Sequence, residues 1–169
     1  MASGKSSIGK KLAKKCNLPF VDLDDYIVKK EKITIPEIFK LKGEIYFRKI
    51  EAQYLNELLS LEDDFILAVG GGTPCYGNNM KSITENAQSI YLKSSIQNIY
   101  DKLSKQKNKQ KRPLISTIEA RDLKEFIAKH LFERRHYYEQ ATHTIVIDDK
   151  SKKEIAGELI RLLNLIETN

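Results

Sequence analysis

The sequence predicts a three-layer α/β fold: a central parallel sheet with helices on both faces. Three observations lead there. Short β-branched runs alternate with longer amphipathic stretches, the rhythm of βαβ units rather than of hairpins. The runs are almost continuously apolar, as strands covered on both faces are. Ser3-Gly4-Lys5-Ser6 opens the first amphipathic stretch, and the start of a helix is where such folds hold anions.

The elements follow in order. A helix is expected over 5–16, with Ile8, Leu12 and Ala13 on one side. Pro19-Phe20-Val21-Asp22 reads as a strand, then helices over 24–31, 35–41 and 44–60. Phe65 to Val69 is the strongest strand; a weaker helix near 77–85 and the strand Ser89 to Leu92 come next. Helices over 94–104 and 119–139, a strand over Thr144 to Ile147 and a helix over 151–165 complete the pattern. The polar, basic segment Lys105 to Lys111 has no apolar periodicity and reads as an exposed, mobile loop. With no internal repeat and no Pro/Gly/Ser-rich linker, residues 1–169 read as a single domain.

Composition narrows the function. A chain of 169 residues, 41% hydrophobic and 31% charged, has the length and balance of one globular domain with its own core. Its longest apolar runs fall far short of the roughly 20 residues of a membrane span, and its first residues have no signal-peptide character. A cytoplasmic location is expected, with no membrane partner. Cys16 and Cys75 are too few for a disulfide framework or a zinc site, and two reduced thiols are expected. The net charge of +6 suits either nucleic acid or an anionic small molecule. No nucleic-acid-binding motif accompanies it, so the small molecule is preferred.

Three constellations carry chemistry. Ser3-Gly4-Lys5-Ser6 is the second half of a G-x-x-x-x-G-K-[ST] phosphate loop. Gly4 lets backbone approach phosphate oxygens, the Lys5 ammonium reaches the β- and γ-phosphates, and the Ser6 hydroxyl can ligate Mg²⁺. The first glycine of the motif and its feeding strand would lie upstream of Met1, so that the first strand is expected to be missing from this chain. Met1 is expected to be an internal methionine of a longer product, the alternative being that the chain starts here and its sheet lacks a central strand. Second, Asp22-Leu23-Asp24 follows a strand, and strand alternation would aim both carboxylates the same way, at the end of a strand where ligands bind. One could hold Mg²⁺ through water while the other takes a hydroxyl proton. Alternatively, Asp24 or Asp25 simply caps the next helix. Third, Gly70-Gly71-Gly72 after the strongest strand permits close approach of backbone to a ligand, or a plain tight turn.

Taken in order, these residues resemble the shikimate kinase family, within the nucleoside-monophosphate-kinase-like P-loop kinase fold, whose mobile lid would here span about 105–118. Besides the three constellations, Ile38-Phe39, Gly43-Glu44 and Phe47-Arg48-x-x-Glu51 resemble its shikimate-binding segment, about 24–60. Arg112-Pro113-Leu114 resembles its lid motif and Arg134-x-x-x-Tyr138 its late arginine motif.

The resemblance implies ATP and shikimate as partners, Mg²⁺ as cofactor, and a monomer. It implies that Ala2, Ser3, Gly4, Lys5, Ser6, Ser7 and Arg112 bind ATP, and that Ser6 and, through water, Asp22 hold the metal. Asp24, Arg48, Arg134, Gly70, Gly71 and Gly72 would bind shikimate, with Phe39 and Phe47 lining its pocket. Lys5, Asp24 and Arg112 would be catalytic. Lys105 stands where the family often has an arginine that stacks on adenine. Each arginine also has a plainer reading: Glu44 and Glu51 lie at helical spacing from Arg48, and Arg134 sits in a charged helix. His130, His136 and His143 show no metal spacing. The alternatives are another small-molecule P-loop kinase, of gluconate- or nucleotide-kinase type, or a non-catalytic member with an incomplete phosphate loop.

Overall fold

The computed structural model describes residues 3–104 and 118–165. Ala2, Lys105, Arg112 and most of the expected lid fall outside the described residues. In chain order the elements are α1 (Lys5–Cys16), β1 (Phe20–Asp22), α2 (Leu23–Glu31), α3 (Ile35–Leu59), β2 (Ile66–Ala68), a 3-10 turn (Thr73–Cys75) and α4 (Asn79–Asn86). Then come β3 (Ile90–Lys93), α5 (Ile96–Leu103), α6 (Ala120–Tyr138), β4 (His143–Val146) and α7 (Lys152–Leu162). They fall into two compact units, one made of Gly4–Ser89 with the C-terminal helix, the other of Ile90–Asp149 with the first three residues.

In the larger unit α1 places Ile8, Leu12, Ala13 and Cys16 on one buried stripe, at the i, i+4 spacing of a helix that packs on one side. Its ninth-residue glycine sets the approach to β1: a Cβ at Gly9 would meet Phe20 Cε2 at 2.6 Å. β1 and β2 pair in parallel, Phe20 opposite Ile66 and Asp22 opposite Ala68. Parallel pairing leaves the C-terminal ends of both strands, Asp22 and the glycines after Ala68, at the same edge. α2 and α3 enclose a core of Leu23, Ile27, Ile38, Ile50, Leu55 and Leu58. Each such side chain contributes roughly 1.5–3 kcal/mol on burial.

A capping box between Thr34 and Glu37, with Pro36 in the first turn, starts α3. The helix is interrupted at Gly43, whose φ of 79° and ψ of 173° are not helical. The two helices expected over 35–41 and 44–60 are thus the two segments of α3. α7 closes this unit, turning Ile155, Ala156, Leu159 and Ile160 inward.

In the smaller unit β3 and β4 pair in parallel, Ile90 opposite His143. Ile99 and Leu103 of α5 pack with Leu123 and Ile127 of α6. Asp148, just past β4, accepts hydrogen bonds from Ser94 Oγ, Ser95 N and Asn98 Nδ2 and so fixes the start of α5. Among the described residues the strands therefore form two parallel pairs, one per unit. Cys16 and Cys75 are not joined in a disulfide. No helix among the described residues is long and apolar enough to cross a membrane.

Candidate active site

The site forms where α1, β1, the glycine turn and α3 meet in the larger unit. Gly4 takes the N-cap position of α1 in the left-handed region, φ 81°, and its carbonyl accepts the first helical bond from Ile8 N at 2.9 Å. A side chain disfavours that conformation, and glycine does not. Lys5 and Ser6 follow in the first turn, where backbone N–H groups and the helix dipole favour an anion. Ser6 Oγ donates to Asp22 Oδ2 at 2.6 Å, which joins the phosphate end of α1 to the acidic end of β1. A hydroxyl and a carboxylate oxygen side by side are hard donors of the kind Mg²⁺ takes. The pair therefore fits that ion. Among the described residues no group of three or more His, Cys, Asp or Glu side chains gathers as a metal cluster.

The acidic pair is arranged differently from the strand-alternation expectation. The chain turns helical at Leu23, so Asp24 sits in the first turn of α2 and not on an extended strand. The cap is Asp22, not Asp24 or Asp25: Asp22 Oδ1 accepts from Asp24 N at 3.1 Å. Capping leaves the Asp24 carboxylate uncommitted by that bond and held near Asp22. Although Asp24 presents exposed surface, it stands among dense protein and other acids. Desolvation pushes its carboxyl above the usual range; Asp22 and Glu51 push the same way, and Lys5 opposes them. Such a carboxylate is a better base than an ordinary aspartate.

Arg48 stands in the segment of α3 that follows Gly43. Its Nη1 donates to Glu51 Oε2 at 2.7 Å, while Glu44 lies 3.4 Å from Nε. Burial works against its charge, and the bond to Glu51 outweighs that. Glu51 is only 1% exposed, and its other oxygen accepts from Thr73 Oγ1 at 2.7 Å. Asn79 Nδ2 in turn donates to the Thr73 carbonyl at 2.9 Å. A buried charge so fully bonded is a positioning device for the guanidinium it faces. The ion-pair reading of Arg48 and the ligand reading are thus compatible, since Glu51 orients one edge of the fork.

The glycine turn lies against both groups. A Cβ at Gly72 would stand 2.9 Å from Arg48 Nη2, and one at Gly70 would stand 3.0 Å from Thr73 Oγ1 and 3.7 Å from Asp24 Oδ1. The turn is therefore a close approach and more than a tight bend. Cys75 Sγ donates to the Gly71 carbonyl at 3.8 Å. Phe39 and Phe47 pair across the Gly43 break, centroids 4.7 Å apart. Phe47 is buried behind the Arg48 guanidinium, which lies 5.2 Å from its ring, while Phe39 is 38% exposed and available to a ligand.

Asp22, Asp24, Lys5, Ser6, Arg48 and the glycines are thus brought together in one unit. Ser7 lies in the first turn of the same helix, and Ser3 precedes Gly4 in sequence. Arg134 is half-buried on α6, in the other unit. Sequence reading did not single out Thr73 for a role, and it gave Glu51 a place in a motif and a helical ion pair but no partner beyond Arg48. The Thr73–Glu51 bond spans 22 positions, and no local pattern announces it.

A family model described as "Shikimate kinase" matches residues 1–164. The chain is 46% identical over 164 residues to the shikimate kinase of Flavobacterium psychrophilum, a match that covers 96% of this chain and 94% of that one. It is 43% identical to that of Flavobacterium johnsoniae over the same shares. Among solved structures, the shikimate kinase of Bacteroides thetaiotaomicron superposes with a TM-score of 0.87 at 31% identity, over 98% of this chain and 94% of that chain. That of Acinetobacter baumannii, solved in complex with shikimate, gives 0.84 at 30% identity over 97% and 88%.

Proposed function

The chain belongs to the shikimate kinase family, and on that premise we propose that it transfers the γ-phosphate of ATP to the 3-hydroxyl of shikimate, giving shikimate 3-phosphate and ADP. The observation that carries the reading is the convergence on one glycine turn of a carboxylate with raised proton affinity, Asp24, and a braced guanidinium, Arg48. A base for an alcohol and a fork for a carboxylate, side by side, match a hydroxylated acid.

In this mechanism Lys5 and the N–H groups at the start of α1 bind the β- and γ-phosphates. Asp24 takes the proton of the 3-hydroxyl as that oxygen bonds to the γ-phosphorus. The bond to the β,γ-bridging oxygen breaks, and ADP leaves. Arg48 and Arg134 grip the acceptor carboxylate, because guanidinium matches a carboxylate bidentately. The glycine turn offers backbone to the ring hydroxyls, and Phe39 backs the ring. Ser6 would hold Mg²⁺ directly and Asp22 through water; when bound, the ion neutralises phosphate charge. Arg112 would bridge the nucleotide and the acceptor, and shield the phosphate from water. The whole chain acts as one kinase domain, a monomer in the cytoplasm.

A coupled ADP-release assay tests this. Shikimate should drive release with ATP and Mg²⁺, while gluconate and nucleoside monophosphates should leave the rate at background. Release driven by one of those acceptors in place of shikimate would replace the reading. A folded chain silent with all of them would favour a non-catalytic member.

A further inference from the structure

Asp24 begins α2 and Glu31 ends it. The Glu31 carboxylate accepts hydrogen bonds from three side chains of α3. Tyr54 Oη donates to Oε1 at 2.7 Å; Tyr46 Oη and Lys42 Nζ reach Oε2 at 2.9 and 3.2 Å. Lys42 Nζ also donates to Tyr46 Oη at 3.0 Å and lies 4.3 Å from that ring's centroid. The Glu31 side chain is 10% exposed. Its hydrogen bonds, that from Tyr54 foremost, hold its carboxyl below the usual range against the opposing effect of burial, and the Tyr54 hydroxyl is pushed up to about 12. Glu31 is therefore ionised and Tyr54 protonated at neutral pH, the states these hydrogen bonds require.

The placement of the donors is what matters. Lys42 precedes Gly43; Tyr46 and Tyr54 follow it. Glu31 thus ties both segments of α3 to one point on α2. Beneath it the apolar core buries Ile38 before the break and Phe47 and Ile50 after it, but among the described residues no side-chain hydrogen bond other than these spans the break itself. A Cβ at Gly43 would meet nothing within 4 Å. The flanking apolar side chains, Leu41 and Ile45, are 69% and 84% exposed and brace nothing. Glycine has access to positive and negative φ alike, so its own sterics do not fix the angle. The Phe39–Phe47 contact is a further brace across the break, and Phe39 is itself a proposed ligand contact.

The segment after the break carries Arg48 and Glu51, and α2 carries Asp24 seven residues before Glu31, about 10 Å along the axis. We propose that Glu31 is a positioning residue for the acceptor: by clamping Lys42, Tyr46 and Tyr54 it fixes the α3 angle at Gly43 and thereby sets Arg48 at its working distance from Asp24. This rests on the acceptor role given to Asp24 and Arg48 above. Removing Glu31 is a local change, because α2 stays docked through a second cluster. There Glu57 accepts from Tyr26 Oη at 2.7 Å and from Lys30, and the apolar core lies beneath.

The test compares Glu31→Ala, Glu31→Gln and Tyr46→Phe with the parent chain, by acceptor and ATP kinetics and by amide hydrogen exchange. Glu31→Ala should raise the KM for shikimate about tenfold or more, as misplacement from outside the chemistry does, while the KM for ATP stays within about twofold. Glu31→Gln keeps the shape and one acceptor oxygen and should recover part of the loss. Exchange over residues 40–48 should quicken in the alanine variant, with β1 and β2 unchanged. Equal rises in both KM values, or unaltered shikimate KM with unaltered exchange, would overturn the clamp. Should Glu31→Ala fail to fold, Tyr46→Phe carries the same readings with one bond removed. The exchange arm needs no turnover. A parent chain without shikimate-dependent activity would refute the functional reading, while unchanged exchange over residues 40–48 would refute the clamp.

Discussion

Two glycine-bearing approaches to the site look alike in sequence and work in opposite ways. Gly4, before α1, sits at φ 81° with Ile8 Cδ1 as the nearest atom to a Cβ, 3.9 Å away. Glycine is needed there for conformation, and the space beyond is left open. Gly72, after β2, has an ordinary backbone, φ −87° and ψ −21°, yet a Cβ would run into Arg48. Glycine is needed there for room, and the protein's own guanidinium takes the room. At the proposed phosphate end the glycine leaves space around the start of α1. The proposed acceptor end is held by a chain of hydrogen bonds within the protein, from Asn79 through Thr73 and Glu51 to Arg48. Bracing of the acceptor end suits an enzyme that must hold an alcohol still beside a reactive phosphate and keep water out.

The largest expected break in this contrast is Asp24→Asn. Losing a general base should lower kcat by about 10²–10⁴-fold with little change in the KM for ATP. Stability should move the other way. The folded Asp24 carboxyl lies above its unfolded value near 3.8. The folded state therefore favours the neutral form. That contribution is present below the unfolded value and is lost as pH rises through the raised folded one. At neutral pH the ionised Asp24 destabilises the fold, so the asparagine variant should show a higher Tm. The acid limb of kcat/KM in the parent should likewise lie above pH 3.8. Substantial residual turnover, or a lower Tm, would contradict the role given to this carboxylate. Next in size is Arg134→Ala. It should weaken shikimate binding by about 2–5 kcal/mol, the cost of leaving a charge without its partner. A loss of ATP affinity in its place would show that this arginine serves the other substrate.

The sequence carried the fold further than the site. Helix α1 and the two segments of α3 were readable because their signals are local: a buried stripe at i, i+4 spacing, and a glycine between two periodic runs. The acidic pair was readable as chemistry and misread as geometry. Strand periodicity was extended two residues too far, past Asp22 to Asp24, although the Asp22 side chain already caps a helix. Asp24 and Arg48 were legible only as members of an ordered set of motifs. What makes them work, the Glu51–Thr73 bond and the glycine turn pressed on Arg48, joins residues more than twenty positions apart and leaves no periodic trace.

The contrast between the two glycines is sharpened by the two smallest substitutions available. Gly72→Ala adds one methyl to a backbone that accepts it, so the fold should keep its Tm. The Arg48 guanidinium must yield to the new Cβ, because the clash at 2.9 Å falls on its flexible end. Shikimate KM should rise about tenfold with ATP KM unchanged.

Gly4→Ala is the mirror case and the smaller effect. No atom obstructs the new methyl, but a side chain at φ 81° costs about 1–2 kcal/mol in the left-handed region. For a domain of this size each kcal/mol lowers Tm by about 2–4 °C. The variant should therefore lose a few degrees of Tm and some ATP affinity, with shikimate KM intact. If Gly72→Ala instead cost stability and spared shikimate, the turn would be a folding element and Arg48 would owe its position to something else. If Gly4→Ala left both Tm and ATP binding untouched, the start of α1 would not be the phosphate site.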